Sequence, residues 1–149
     1  MFFPVCFAGA MTLVGSLRVP LPVGEAFRLF TPRGESDWVD GWHPHFPVPV
    51  EDDAAVGTVF HTDAHGQPIT WIVIDREGDR QIRYARVATG RDAGTVEVGL
   101  QPVNGHTEVT VVYRLTALTS EGDRWLRAFA AEYSEFLRSW ETSIGEFLH

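Results

Sequence analysis

The chain has 149 residues, 44% of them hydrophobic and 21% charged, with a formal net charge of −8. That length suffices for one domain with a sizeable core, and the acidic balance argues against nucleic acid and anionic lipid surfaces as partners, since both need clustered positive charge. All twelve basic residues are arginine, which excludes Schiff-base and pyridoxal-phosphate lysines, and the single Cys6 excludes an intrachain disulfide or a multi-cysteine metal site.

Residues 1–10, MFFPVCFAGA, are apolar but lack the basic flank and longer apolar run of a secretory signal. They are read as an extension of the first strand, or as a start-site artefact with Met11 opening a single domain over 11–149. No apolar run approaches the ~20 residues that span a bilayer, so a cytoplasmic protein with no membrane insertion is expected.

Residues 12–19 read as a strand, punctuated by Pro20 and Pro22. Pro22 suits the first turn of a short helix over 23–30, which Thr31-Pro32 ends. A second short helix is predicted over 35–41, with Trp38 and Trp42 four apart and so on one face. The HPHFPVPV segment that follows cannot be a central strand, because proline lacks the ladder donor.

From Gly57 the pattern becomes strands divided by turns: 57–63, 69–77, 81–89, 95–103 and 108–118, broken at HGQP, EGDR, GRDAG and NGH. Val96, Val98 and Leu100 alternate with polar neighbours, as do Val109, Val111, Tyr113 and Leu115. This period of two marks an antiparallel sheet with one covered and one wet face. The apolar run Trp71–Ile74 fits either register and leaves the facing of its strand open. Residues 120–148 read as one long helix, with Trp125, Leu126, Phe129, Tyr133, Phe136, Leu137, Trp140, Ile144 and Phe147 on a single stripe. A curved antiparallel sheet wrapped around a long C-terminal helix, with two short helices after the first strand, is an α+β helix-grip arrangement.

Together with this order, the segments LPVGEAFRLFTP (21–32), GESDWVDGWHP (34–44), GTVFHT (57–62), TWIVIDRE (70–77) and VTVVYRLTAL (109–118) resemble the SRPBCC superfamily. It is also called START-like or birch-pollen-allergen-like, and it includes polyketide cyclases. The resemblance covers nearly the whole chain from Met11 and is nearest to bacterial members of unassigned function. It implies a hydrophobic cavity between sheet and long helix, entered near the short helices, and no cofactor. No catalytic motif carries over residue by residue.

The expected ligand-binding residues around such a cavity are Trp38, Trp42, His61, Trp71, Tyr84 and Arg86 on the early half of the chain. Val98, Val111, Tyr113, Phe129 and Tyr133 complete the set. Ile82, Tyr84 and Arg86 share a strand face, so Arg86 is either a bidentate clamp for an acidic ligand or paired with a carboxylate of the protein. His61, Asp63 and His65 have zinc-like spacing, but His65 falls in a hairpin turn that breaks the alternation, and no metal is expected. Glu35, Asp37 and Asp40 read as first-turn acids that complement a helix dipole, with a general acid or base at a pocket mouth as the alternative.

Three functions stay open at this stage. The leading one is binding of a small hydrophobic or aromatic molecule of lipid, polyketide or isoprenoid type, by a monomer or homodimer. The others are a cyclase, aromatase or dehydratase acting on such a molecule, and a co-chaperone-like interaction module.

Overall fold

The computed structural model describes residues 9–149. Except for Gly9 and Ala10, the N-terminal extension considered above lies outside the described residues. Six strands form one antiparallel sheet: β1 (Ala10–Val19), β2 (Val59–Thr62), β3 (Ile69–Glu77), β4 (Gln81–Ala88), β5 (Asp92–Val103) and β6 (His106–Ala117). Their order across the sheet is β1-β6-β5-β4-β3-β2. Strands β2 to β6 follow one another as hairpins, and β1 closes on β6 from Ala10 opposite Thr116 to Val19 opposite Thr107.

Alternation sorts the two faces. Leu17, Val19, Val73, Ile82, Tyr84, Val96, Val98, Val109, Val111 and Tyr113 are buried on the covered face. Trp71 and Val73 point inward while Ile72 and Ile74 are exposed, which settles the facing of β3. Its register against β4 slips between Val73 and Asp75. A bulge there adds twist and curls the sheet towards the helices.

Helix α1 (Val23–Arg28) buries Ala26 and Phe27, and stops short of the predicted Phe30. The second short helix is only a 3-10 turn, Gly34–Asp37. Trp38 lies past its end and donates its indole N–H to the Leu29 carbonyl at 2.8 Å. Trp42 donates likewise to Pro32 at 2.7 Å. These two bonds pin the loop across one end of the sheet.

The long C-terminal helix is present and is kinked at Glu132 into two segments, α2 (Ser120–Ala131) and α3 (Tyr133–Leu148). Glu132 departs from helical geometry at φ −109°, ψ 9°. A straight rod cannot stay in contact with a sheet that curls. The break lets α2 pack on β5 and β6 while α3 lies along β1. The Tyr133 hydroxyl anchors the junction by donating to the Val111 carbonyl at 2.8 Å. Leu126, Tyr133, Leu137, Trp140 and Ile144 are buried as the stripe predicts, whereas Phe147 at its far end is exposed.

Candidate functional site

Between the covered face of the sheet and the two C-terminal helices lies a cavity of about 510 Å³. One wall comes from β2, β3 and the loop before them: Phe60 and Trp71 stack with ring centroids 5.8 Å apart, and Trp42 and Tyr84 meet them edge-on. The other wall comes from β6, α2 and α3. Trp125 stacks on Phe129 at 5.0 Å, and Tyr113, Phe136 and Trp140 complete it. The rim is polar: exposed Asp40 and His65 with Gln67 on one side, and Arg91 on the other.

Arg86 sits under these rings, 6% exposed, and it is paired within the protein. Its Nε and Nη2 donate to Asp92 Oδ1 at 3.2 and 2.6 Å, and Arg91 Nε donates to Asp92 Oδ2 at 2.8 Å. Register explains the contact. Asp92 stands opposite Ala88, two residues along from Arg86 on the same face, which is a diagonal cross-strand neighbour. Rings of Trp71, Tyr113 and Trp125 surround the guanidinium at 5.4, 6.0 and 5.8 Å. One carboxylate therefore serves two arginines, and the cluster keeps a net positive charge beside the cavity.

Glu35 is the second buried charged group of the site. Gly34 lets the chain press inward there, since a Cβ on it would lie 1.7 Å from the Arg28 carbonyl oxygen. The Glu35 side chain lines the cavity and is 9% exposed. Burial among apolar side chains pushes its carboxyl well above the usual carboxylate range. The Tyr113 hydroxyl is also raised by burial. The Arg86 guanidinium pulls it partly back, and Glu35 adds a smaller upward push. Tyr84, raised by burial and then by Glu35 and Asp53, spends its hydroxyl on the Phe30 carbonyl at 2.8 Å.

Of the residues singled out in the sequence, Trp42, Trp71, Tyr84, Arg86, Val98, Tyr113 and Phe129 lie on the cavity wall. Four do not. His61 is exposed on the opposite face, its Nδ1 3.2 Å from Thr70 Oγ1, because Phe60 and Thr62 on either side of it turn inward. Trp38 fills the core between Phe30 and Trp140, at centroid distances of 5.7 and 5.3 Å. Val111 is fully buried under the helices, and Tyr133 is tied to it.

The sequence reading did not count Asp92 or Glu35 among the cavity residues, although a signal for Asp92 exists. Counting back by twos from Val96 puts Gly94 and Asp92 on the covered face. Glu35 is buried because the 3-10 turn at Gly34–Asp37 presses it inward, which no helical spacing in the sequence announces. Among the described residues, no group of three His, Cys, Asp or Glu side chains is placed to hold a metal ion. His65, at φ 56°, sits in the turn that breaks the strand.

No family model matches the chain. No curated protein matches it either. Solved structures do. Protein MLL2253 from Mesorhizobium loti superposes with a TM-score of 0.69 at 17% identity, covering 91% of this chain and 98% of that one. Ara h 8.0201 gives 0.66 at 11% identity, covering 94% and 99%. DynU16, a putative protein of the dynemicin biosynthetic locus, gives 0.64 at 17% identity over 92% of this chain, which spans only 46% of the DynU16 chain. At these identities the likeness defines the fold: this is a helix-grip protein with an aromatic-walled cavity under its C-terminal helices. None of its helices among the described residues is long and apolar enough to cross a membrane.

Proposed function

We propose that the protein binds a small hydrophobic or aromatic molecule, of lipid, polyketide or isoprenoid type, in this cavity, acting as a cytoplasmic monomer or homodimer. The observation that carries the reading is the cavity itself: about 510 Å³, within the range of small-molecule sites, with nine aromatic side chains on its walls. The aromatic rings meet one another edge-on or stacked and leave the middle open, so a flat apolar ligand gains contacts that no side chain supplies. The general likeness to Ara h 8.0201 and DynU16 fits a ligand-binding fold. An interaction module of the co-chaperone kind has no use for an open interior and draws no support from it.

Native mass spectrometry of the purified protein, followed by organic extraction, tests the reading directly. A co-purified molecule at one per chain is the expected result. Titration calorimetry with 2-tetralone, a bicyclic ketone with one aromatic ring, gives the complementary arm. Val98, on β5 in the cavity wall and 2% exposed, is replaced by tryptophan to fill the space. The expected outcome is binding by the parent protein and its loss in a folded Val98→Trp variant; equal affinity in both places the ligand elsewhere and ends the cavity reading.

A further inference from the structure

Most polar groups on the cavity wall are used by the fold itself. The Trp42 and Trp71 indoles donate to Pro32 O and Thr62 Oγ1, and the Tyr84 hydroxyl donates to Phe30 O. Three groups are not used. The Glu35 carboxyl, the Tyr113 hydroxyl and the Arg86 Nη1 make no hydrogen bond to any described residue, although their side chains are 9, 6 and 6% exposed. All three side chains line the cavity, so these polar atoms face whatever occupies it, water or a guest. A guest with matching acceptors and donors takes over those hydrogen bonds from water.

Their chemistries differ in a useful way. Among the described residues Glu35 has no ion pair, and burial raises its proton affinity. Its carboxylate is therefore a stronger base than a solvated one. Tyr113 keeps its proton, so its hydroxyl is available to donate. Arg86 is held in place by Asp92 and by three aromatic rings, which leaves Nη1–H as a fixed donor. All three line the same cavity, and the Arg86 guanidinium lies 6.0 Å from the centre of the Tyr113 ring. One proton acceptor facing two donors to oxygen matches a carbonyl compound with an acidic neighbouring C–H.

Resting on the ligand-binding reading, we propose that the cavity catalyses enolisation of an aromatic or otherwise apolar ketone, with Glu35 as the base and Tyr113 and Arg86 as donors to the carbonyl oxygen. The Glu35 carboxylate takes the proton from the carbon beside the carbonyl. The C–H electron pair becomes a C=C bond, and the carbonyl π pair moves to oxygen. The enolate oxygen accepts from Tyr113 Oη–H and Arg86 Nη1–H. The proton on Glu35 then returns to carbon, at the same position or further along a conjugated system. Nothing is oxidised or reduced, and no co-reactant is consumed.

The test follows the α-hydrogens of 2-tetralone in heavy water by proton NMR, with binding measured separately by calorimetry. The parent protein is expected to speed exchange above the buffer rate. Glu35→Gln keeps the shape of the side chain, and it should cut the protein-dependent exchange by about 10²-fold or more with affinity nearly unchanged. Tyr113→Phe, which removes one donor to the developing oxyanion, should cut it by a further measurable factor of roughly 10 to 10³. Near-ultraviolet dichroism confirms that both variants are folded. If 2-tetralone binds in the cavity yet exchanges no faster than in buffer, or if Glu35→Gln exchanges as fast as the parent, the catalytic proposal is overturned while ligand binding stands. If 2-tetralone does not bind at all, the cavity does not take an aromatic ketone and this proposal is overturned, while the binding reading is judged by the co-purified molecule.

Discussion

Asp92 carries more of the site than any other single residue. It is fully buried, and both of its carboxylate oxygens accept from arginine. Removing one partner from a buried ion pair leaves an uncompensated charge, at a typical cost of about 3–5 kcal/mol. Asp92→Asn is therefore expected to lose stability of that order, read as the shift in urea midpoint at constant slope. Glu35 behaves in the opposite sense. Its folded-state pKa lies above the ordinary value of 4.5, so below that value the acid is neutral in both states and costs nothing. The penalty grows as pH rises through 4.5 and is complete above the folded-state pKa. Glu35→Gln should therefore melt close to the parent in acid and progressively above it towards pH ~8. A gap that does not widen with pH would mean that the carboxyl is already satisfied in the fold.

At the scale of elements, α2 is seated by its first turn. Thr119 Oγ1 accepts from Gly122 N at 3.0 Å and donates to the Gly90 carbonyl at 2.7 Å, tying the helix to the β4–β5 turn. Gly122 has no room for a side chain, since a Cβ would lie 1.8 Å from the Arg91 carbonyl oxygen. Gly122→Ala should push α2 away from that turn, at a cost of about 1–3 kcal/mol. Trp125 moves with it, and the Arg91 guanidinium 3.7 Å from its ring loses that contact. Urea unfolding reads the first effect, and calorimetry should show weaker ligand binding as the second. The strands were legible in sequence to within a few residues, because a face that alternates with period two is set by burial alone. The starts of β5 and β6 were placed too late because turn composition at GRDAG and NGH conceals residues that still pair, such as Asp92 with Ala117. The break at Glu132 was not legible, since nothing in AAEYSEF lacks a helical amide and the cause is the curl of a distant sheet.

The whole molecule follows from one economy of shape. A sheet bent by its bulge and covered by two helix segments leaves an interior that rings line but do not fill. The sequence announced the aromatic stripe and the covered face separately, so the enclosure was legible as a fold. The members of the site were legible only in part. Which groups inside would be left unpaired depends on pairings between strands, and periodicity alone does not assign those. His61 shows the limit in the other direction: a residue type that suggests chemistry lies on the wrong side of the sheet by a single step of alternation.

One property of the cavity wall reaches beyond binding and stability. Four of the five tryptophans in the chain, Trp42, Trp71, Trp125 and Trp140, stand in that wall. Any guest that absorbs where indoles emit will sit within close energy-transfer range of all four at once. For such a guest the protein carries an optical reporter of its own occupancy, dimmer when filled than when empty. Small-molecule fractions of a cell extract can be screened against that signal for an absorbing guest, with no label attached to the protein.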